Sequence, residues 1–337
     1  MSVVSRDRFH QLINNLSSLK PLLVVGDIGI DKYTAGEVLR ISPEAPVPIL
    51  EVQNEWQTLG LAANISYNLK ALGIESILCG ILGEDERANI FESLLEDKGL
   101  KTWGLLREAG RQTVFKERII TNTQQIVRID YESKSEISAQ TEKKLIDRII
   151  DFKEDHGAII IEDYGKGCIT KKVIQNIIAL NKEEQKIIAV DPSRLTPASY
   201  YKGVDLLKPN YLESKILAQS LGHRETKVEK IAEILLDKLN LKKICITLGP
   251  DGMALIDREL SGKCMIIPTV ATRVYDVSGA GDTAISLLVS GLMAGGTLEE
   301  AAWLANCGSG VVVGKKGTAT VNKAELLEFH EKLLKTL

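Results

Sequence analysis

The apolar positions of this 337-residue chain fall into two alternating patterns. Leu22 to Ile28 is short and almost continuously apolar with Gly26-Asp27 near its end. That is the pattern of a strand buried on both faces whose C-terminal end carries functional groups, and Asp31 follows directly. Asn64 to Leu72 and Glu86 to Lys98 carry helical periodicity, with Ser76 to Ile81 between them as a strand, which is βαβ rhythm. Between Arg40 and Asp130 the rhythm breaks into strand-like pieces, Val47 to Val52, Thr102 to Leu106, Thr113 to Ile120 and Gln125 to Asp130, several alternating apolar with polar. A small inserted sheet of this kind fits a lid over a ligand at the strand ends, and the plain alternative is an edge extension of the main sheet. Alternation then resumes: helix Thr141 to Lys153, strand Ala158 to Asp163, helix Thr170 to Asn181, strands Ile187 to Asp191 and Val204 to Leu207, helices to Asn240, and strand Lys243 to Leu248. Strands Met253 to Ile256 and Cys264 to Pro268 precede three closing helices. At the other end, Phe9, Leu12, Ile13, Leu16 and Leu19 predict an amphipathic helix within residues 1–20. No internal repeat or flexible linker interrupts the series.

Chemistry concentrates where this pattern predicts strand ends. Asp31, Asp163, Asp191, Asn210, Thr247 and Gly249 all fall there, and in an open α/β sheet those ends line one crevice. The octet Asp276-Val277-Ser278-Gly279-Ala280-Gly281-Asp282-Thr283 stands directly before an apolar helical run. Gly279 and Gly281 permit a tight turn, Ala280 is small, and backbone N–H groups at the helix start can converge on one anion. Asp282, in the first turn, projects toward the same spot, where a carboxylate can take a proton from a hydroxyl. A plain N-cap by Asp276 or Ser278 accounts for one residue of the eight. A dinucleotide reading also exists, since Gly279 to Ala284 satisfies G-x-G-x-x-A; its acidic partner, Glu299 or Glu300, opens a helix instead of ending a strand. There is no P-loop motif.

Composition narrows the picture little. Hydrophobic content of 44%, charged content of 26% and net charge −3 give no electrostatic pull toward nucleic acid or acidic membranes, so any anion site is local. Five scattered cysteines without CxxC spacing fit reduced, buried thiols in the cytoplasm. The four histidines are far apart in charged surroundings and are expected at the surface, which leaves a zinc site or His-based triad without support. The apolar stretch after Asp282 is broken by Ser and Gly and too short to span a bilayer.

The octet resembles the D-x-x-G-A-G-D motif of the ribokinase-like (PfkB) carbohydrate kinases. The family's other marks follow in order: Gly26-Asp27 with Asp31, Gly60-x-Ala62-Ala63-Asn64, Asn210-x-x-Glu213, and Thr247-Leu248-Gly249 before Asp251-Gly252. The resemblance runs from Leu22 to Leu334. It implies a three-layer α/β/α sandwich with a mainly parallel central sheet, one kinase domain over residues 1–337, and a β-lid from segments within about 40–56 and 102–130. Arg40 to Pro48, Asp163-Tyr164-Gly165-Lys166-Gly167 and Val311 to Lys315 are similar to bacterial kinases that phosphorylate C1 of D-glycero-β-D-manno-heptose 7-phosphate on the route to ADP-heptose and lipopolysaccharide.

By that resemblance Asp282 is the general base, and N–H groups around Gly279, Ala280 and Gly281 hold the transferred phosphoryl group. Asn210 and Glu213 are assigned to Mg²⁺ and the phosphates of ATP, although on spacing alone they read as an N-cap and its capping-box partner. Asp31, Gly60 and Asn64 are implied as sugar ligands, with Asp163, Lys166, Arg40 and Arg128 (and Arg118) toward the substrate and its phosphate. Thr247, Gly249, Gly252 and Asn306 fall to the nucleotide. Leu61 stands where the family usually has a second Gly, and a Leu side chain is expected to crowd the sugar. The resemblance also implies a homodimer. Without an H-x-G-H motif the chain is expected to act beside a separate adenylyltransferase. The alternative within the family is a kinase for another sugar or sugar phosphate, which Leu61 keeps open, and a non-catalytic nucleotide or sugar sensor is the more distant alternative from another class.

Overall fold

The computed structural model describes residues 4–122, 124–181, 186–260, 262–271 and 273–336. In chain order the elements are α1 (Arg6–Asn15), β1 (Leu22–Gly26), β2 (Ile28–Ile41), β3 (Pro48–Leu61), α2 (Ala62–Ala71), β4 (Ser76–Gly83), α3 (Glu86–Asp97), β5 (Gly104–Glu108), β6 (Val114–Ile120) and β7 (Gln125–Tyr131). They continue with α4 (Ala139–Asp151), β8 (Ala158–Glu162), α5 (Lys171–Asn181), β9 (Ile187–Asp191), β10 (Leu206–Leu207), α6 (Tyr211–Ser220), α7 (Val228–Lys238), β11 (Lys243–Thr247), β12 (Met253–Asp257), β13 (Met265–Ile267), α8 (Ala280–Met293), α9 (Leu298–Val312) and α10 (Lys323–Thr336).

Strand periodicity explains the layering. Along β1, Leu22 and Val24 face one core while Leu23 and Val25 face the other, and β8 divides in the same way. Burying both faces requires helices on both sides, and the sheet, ordered β13-β12-β11-β10-β9-β8-β1-β4-β5, has them. Its strands run parallel from β5 to β11, and only β12 and β13 are antiparallel. From β1 the chain first fills one side, with β4 and β5, and then returns to the other side at β8, so the crevice of the fold opens at the C-terminal ends of these central strands.

A second sheet, ordered β3-β2-β6-β7, stands apart. It differs from the expected lid in two ways. The piece expected at 102–106 is β5, an edge strand of the large sheet paired with β4, because Cys79 to Gly83 offers it a parallel partner. The 14-residue β2 and β3 start the small sheet at Ile28 and carry it to Leu61, so Asp31 sits within that sheet and not at an end of the large one.

Helix α1 spans part of the expected 1–20 segment, whose positions 1–3 lie outside the described residues. Ser5 caps it, and Phe9, Leu12 and Ile13 are buried. The expectation of surface histidines fails at His156 and His330, which are both buried. His330 stacks on Phe9 at 3.9 Å between ring centroids and accepts a hydrogen bond from Trp303 Nε1 (3.2 Å). Charged neighbours in sequence occupy the other face of its helix.

Candidate active site

The N-terminus of α8 begins at Gly279, held in the left-handed region at φ 78°; among the described residues no side chain caps this helix. A Cβ on Gly279 would stand 2.8 Å from Asn64 Nδ2, so the close approach requires glycine. The Ala280 N–H turns back to Val277 O (3.2 Å). The amides of Gly281 and Asp282 have no bonded carbonyl among the described residues, as expected for the first turn of a helix. Beside Gly281 the missing side chain leaves a gap, because a Cβ there would still be 3.8 Å from both Asp191 Oδ2 and Lys208 Nζ.

Asp282 is 4% exposed and both its oxygens are engaged. Asn64 Nδ2 donates to Oδ2 (2.6 Å) and Tyr164 Oη donates to Oδ1 (3.0 Å). Burial pushes this carboxyl up to about 7 against the Asn64 hydrogen bond, with the Asp191 charge adding to the rise and Tyr164 and Lys208 opposing it.

Strand register supplies the surrounding charge. Gly26, Glu162 and Asp191 are neighbours across β1, β8 and β9, and a Cβ on Gly26 would strike Glu162 O. Glu162 is buried with Oε2 unpartnered among the described residues, and burial, then Asp191 and Asp282, raises its carboxyl well above the usual range. Lys208, directly after β10, is 3% exposed and lies 2.7 Å from Asp191 Oδ2. Burial works against its ammonium, and the Asp191 carboxylate outweighs it, so its affinity for the proton rises.

These groups border a cavity of ≈ 710 Å³ lined by Glu162, Asp191, Lys208, Gly281 and Asp282 and reaching Lys116, Lys166 and Arg194. A second, mainly apolar cavity of ≈ 490 Å³ is lined by Gly252, Ala280, Ala284, Asn306 and Val313. Thr247, Gly249, Val277 and Gly281 line both, so the two meet at the mouth of α8. Asn306 is fixed there by donating to Pro268 O (2.7 Å) and accepting from Val270 N.

Other candidates fall differently. Asn210 and Glu213 form the capping box of α6, at 2.9 and 2.8 Å, and still border the larger cavity; burial, then Asp191, raises the Glu213 carboxyl. Asp163 borders the cavity as well, but its oxygens accept from Gly165 N (2.7 Å) and Tyr201 Oη (2.7 Å). Lys166 pairs with Glu132 at 2.7 Å. Asp31 is buried against Arg118 (2.6 Å) beside Gly60, and these three line neither cavity. Arg40 and Arg128 are exposed on the small sheet, Arg128 paired with Asp130. Leu61 lines neither cavity; it is buried at φ 58°, ψ −140°, a backbone region that belongs to glycine, which is the physical reason for a Gly at this position. Sequence reasoning passed over Glu162, Lys208, Lys116 and Arg194. For Glu162 and Lys208 a signal existed, a charged residue closing a buried apolar run.

An α/β/α body with a four-stranded second sheet, and a carboxylate at a helix mouth between two cavities, define a carbohydrate kinase of ribokinase-like fold. The chain belongs to the pfkB family of carbohydrate kinases, whose family model matches residues 22–325. It is 42% identical over 314 residues to Bifunctional protein HldE of Wolinella succinogenes, covering 93% of this chain and 65% of that one. The Helicobacter pylori (strain J99) HldE is 37% identical over 320 residues, covering 94% and 68%. The chain thus spans about two thirds of the length of these relatives. Among solved structures, Arabidopsis thaliana ribokinase complexed with ribose and ATP superposes with TM-score 0.70 at 20% identity, covering 93% of this chain and 99% of that one. Escherichia coli phosphofructokinase-2 does so with TM-score 0.75 at 17% identity, covering 94% and 100%.

Proposed function

We propose that this kinase transfers the γ-phosphoryl group of ATP to the C1 hydroxyl of D-glycero-β-D-manno-heptose 7-phosphate, giving the 1,7-bisphosphate, with a separate adenylyltransferase acting further downstream toward ADP-heptose. The observation that carries the reading is the position of Asp282, at the helix mouth where a polar cavity meets an apolar one. In the reaction Asp282 takes the proton of the acceptor hydroxyl as its oxygen bonds to the γ-phosphorus and the bond to the β,γ-bridging oxygen breaks, releasing ADP. The N-terminal amides of α8 and the Lys208 ammonium face the phosphoryl group as its charge shifts. The apolar cavity suits the adenine ring. Arg194 on the cavity wall, with Lys116 and Lys166 where a substrate phosphate displaces their shared partner Glu132, suits a sugar phosphate over a neutral sugar.

The residues also fit Mg²⁺. Among the described residues no group of three acidic, His or Cys side chains is arranged to hold a metal alone. A Mg²⁺ site normally needs only one or two carboxylates beside phosphates and water. Glu213 on the cavity wall, with Asn210 beside it and Glu162 Oε2 unpartnered nearby, is such an oxygen-rich set short of positive charge. Bound there, Mg²⁺ would neutralise phosphate charge.

Homodimerisation through the small sheet is part of the proposal, supported by exposed Leu39, Ile41, Val52 and Val127, each at least 46% accessible. Light scattering that reads a monomer at micromolar concentration would count against it. Cytoplasmic location fits the five free cysteines, and among the described residues no helix is long and apolar enough to cross a membrane.

The deciding experiment measures ADP release with Mg²⁺-ATP on heptose 7-phosphate, fructose 1- and 6-phosphates, ribose and adenosine, with Asp282→Asn as control. Turnover confined to heptose 7-phosphate and lost in the variant is expected. Preference for another sugar would move the substrate while keeping the mechanism, and no turnover on any would favour a sensor.

A further inference from the structure

The loop 163–168 is built to deliver one side chain. Buried Asp27, just past β1, accepts from three of its amides: Tyr164 N (2.9 Å) and Lys166 N (3.0 Å) on Oδ2, and Cys168 N (3.1 Å) on Oδ1. Asp163 grips the same loop from the other side through Gly165 N, and is itself held by Tyr201 Oη. Gly165 and Gly167, at φ 66° and 89°, reverse the chain between these anchors. The product of this scaffolding is the Tyr164 phenol, 3.0 Å from Asp282 Oδ1 on the wall of the acceptor cavity. Opposite it, Asn64 is tied to Asn68, whose Oδ1 accepts from Thr283 Oγ1.

We propose that Tyr164 is a positioning residue for Asp282, its phenol and the Asn64 amide clamping the carboxylate plane so that the remaining lone pairs meet the acceptor hydroxyl. A lone carboxylate on a helix rotates about its terminal torsion through a broad, shallow well. A donor on each oxygen removes that freedom and leaves each oxygen one further acceptor site. The clamp also favours the charged form of Asp282, the form that accepts a proton. The other charged groups around Asp282 are Glu162 from β8, Asp191 from β9 and Lys208 after β10, and none of them donates to Oδ1 or Oδ2. The inference rests on Asp282 being the base proposed above.

Tyr164→Phe removes the donor and keeps the ring. The expected result is a kcat lower by roughly 10-fold, KM for ATP and sugar within about twofold, and an acid limb of the kcat profile moved to higher pH. Incorporation of a fluorinated tyrosine at position 164, a stronger donor of the same shape, moves that limb the opposite way. Thermal melting and ATP binding of both variants verify that the fold is retained. Wild-type kcat with an unmoved acid limb in Tyr164→Phe overturns the inference, as does a limb that ignores fluorination. Should Asp282→Asn itself turn over normally, the assignment of the base has failed; a dead Asp282→Asn beside an unaffected Tyr164→Phe removes the positioning role alone.

Discussion

Gly281→Ala separates stability from catalysis at one atom. Gly281 is the second residue of α8 and has an ordinary helical φ, so alanine is compatible with its backbone. The added methyl would lie 3.8 Å from both Asp191 Oδ2 and Lys208 Nζ, ordinary van der Waals distance with no clash. Replacing a helical glycine by alanine stabilises by about 0.5 kcal/mol through lost unfolded-state entropy. For a protein of this size that raises the melting temperature by about 1 °C or less. The same methyl occupies the gap in which the phosphoryl oxygens would meet the helix amides. A displacement of about 1 Å there costs on the order of 10²-fold in turnover. Melting curves, ATP binding by calorimetry and ADP release should therefore report a slightly more stable enzyme that binds ATP and barely turns over. Gly279→Ala is the contrast: φ 78° and the 2.8 Å approach to Asn64 Nδ2 make it destabilising, by roughly 1–2 kcal/mol from the backbone alone. If Gly281→Ala keeps kcat within about twofold of wild type, the gap does not hold the transferred group and the placement of the reaction is wrong.

Lys208→Met strands the buried Asp191 carboxylate and should cost about 3–5 kcal/mol in denaturant unfolding, a loss that shrinks as pH falls, because burial raises that carboxyl's affinity for a proton. Asp282 titrates at about 7 in the folded protein, so turnover should fall on the acid side of that value. In the unfolded chain the same carboxyl titrates at about 3.9. Between the two values the folded state keeps a proton that the unfolded state has released, so this group's contribution to stability is full below the lower value and fades as pH rises through the upper one. Asp282→Asn should remove that fading along with roughly 10²- to 10⁴-fold of turnover. Leu61→Gly relieves a backbone strain of about 1–3 kcal/mol and forfeits a buried side chain worth about 1.5–3 kcal/mol, so the two effects largely offset and unfolding free energy should change by no more than about 2 kcal/mol. Its sugar KM should stay unchanged, and a clear fall in KM would show that Leu61 does crowd the acceptor.

Much of the large sheet was legible because strands buried on both faces must be apolar runs, and β1, β8, β9 and β11 are such runs. The small sheet was less so. Its long strands are interrupted by bulges near Ala35 and Val38 and are apolar where exposed, at Leu39, Ile41 and Val127, which blurs a period of two. Leu61 hides the turn into α2, since a glycine signal is missing at a position of glycine geometry. His330 read as a surface residue because its sequence neighbours are charged; the ring that buries it, Phe9, lies at the other end of the chain.

The local sequence by itself determined which groups could act. The octet sets Asp282 one turn inside a helix whose glycines leave its first amides open, and that follows from backbone geometry over a few residues. It also showed that the buried strands end in polar residues, and of these Asp163, Asp191, Asn210, Thr247 and Gly249 do border one crevice while Asp31 does not. Only the tertiary structure decided what Asp282 meets there. Asn64 and Tyr164 reach its two oxygens from 218 and 118 residues away. Strand register sets Glu162 beside Asp191, and Lys208 completes the charge balance. Burial, which raises that carboxyl to about 7, belongs to no segment alone, because excluding water from a carboxylate takes every layer packed around it.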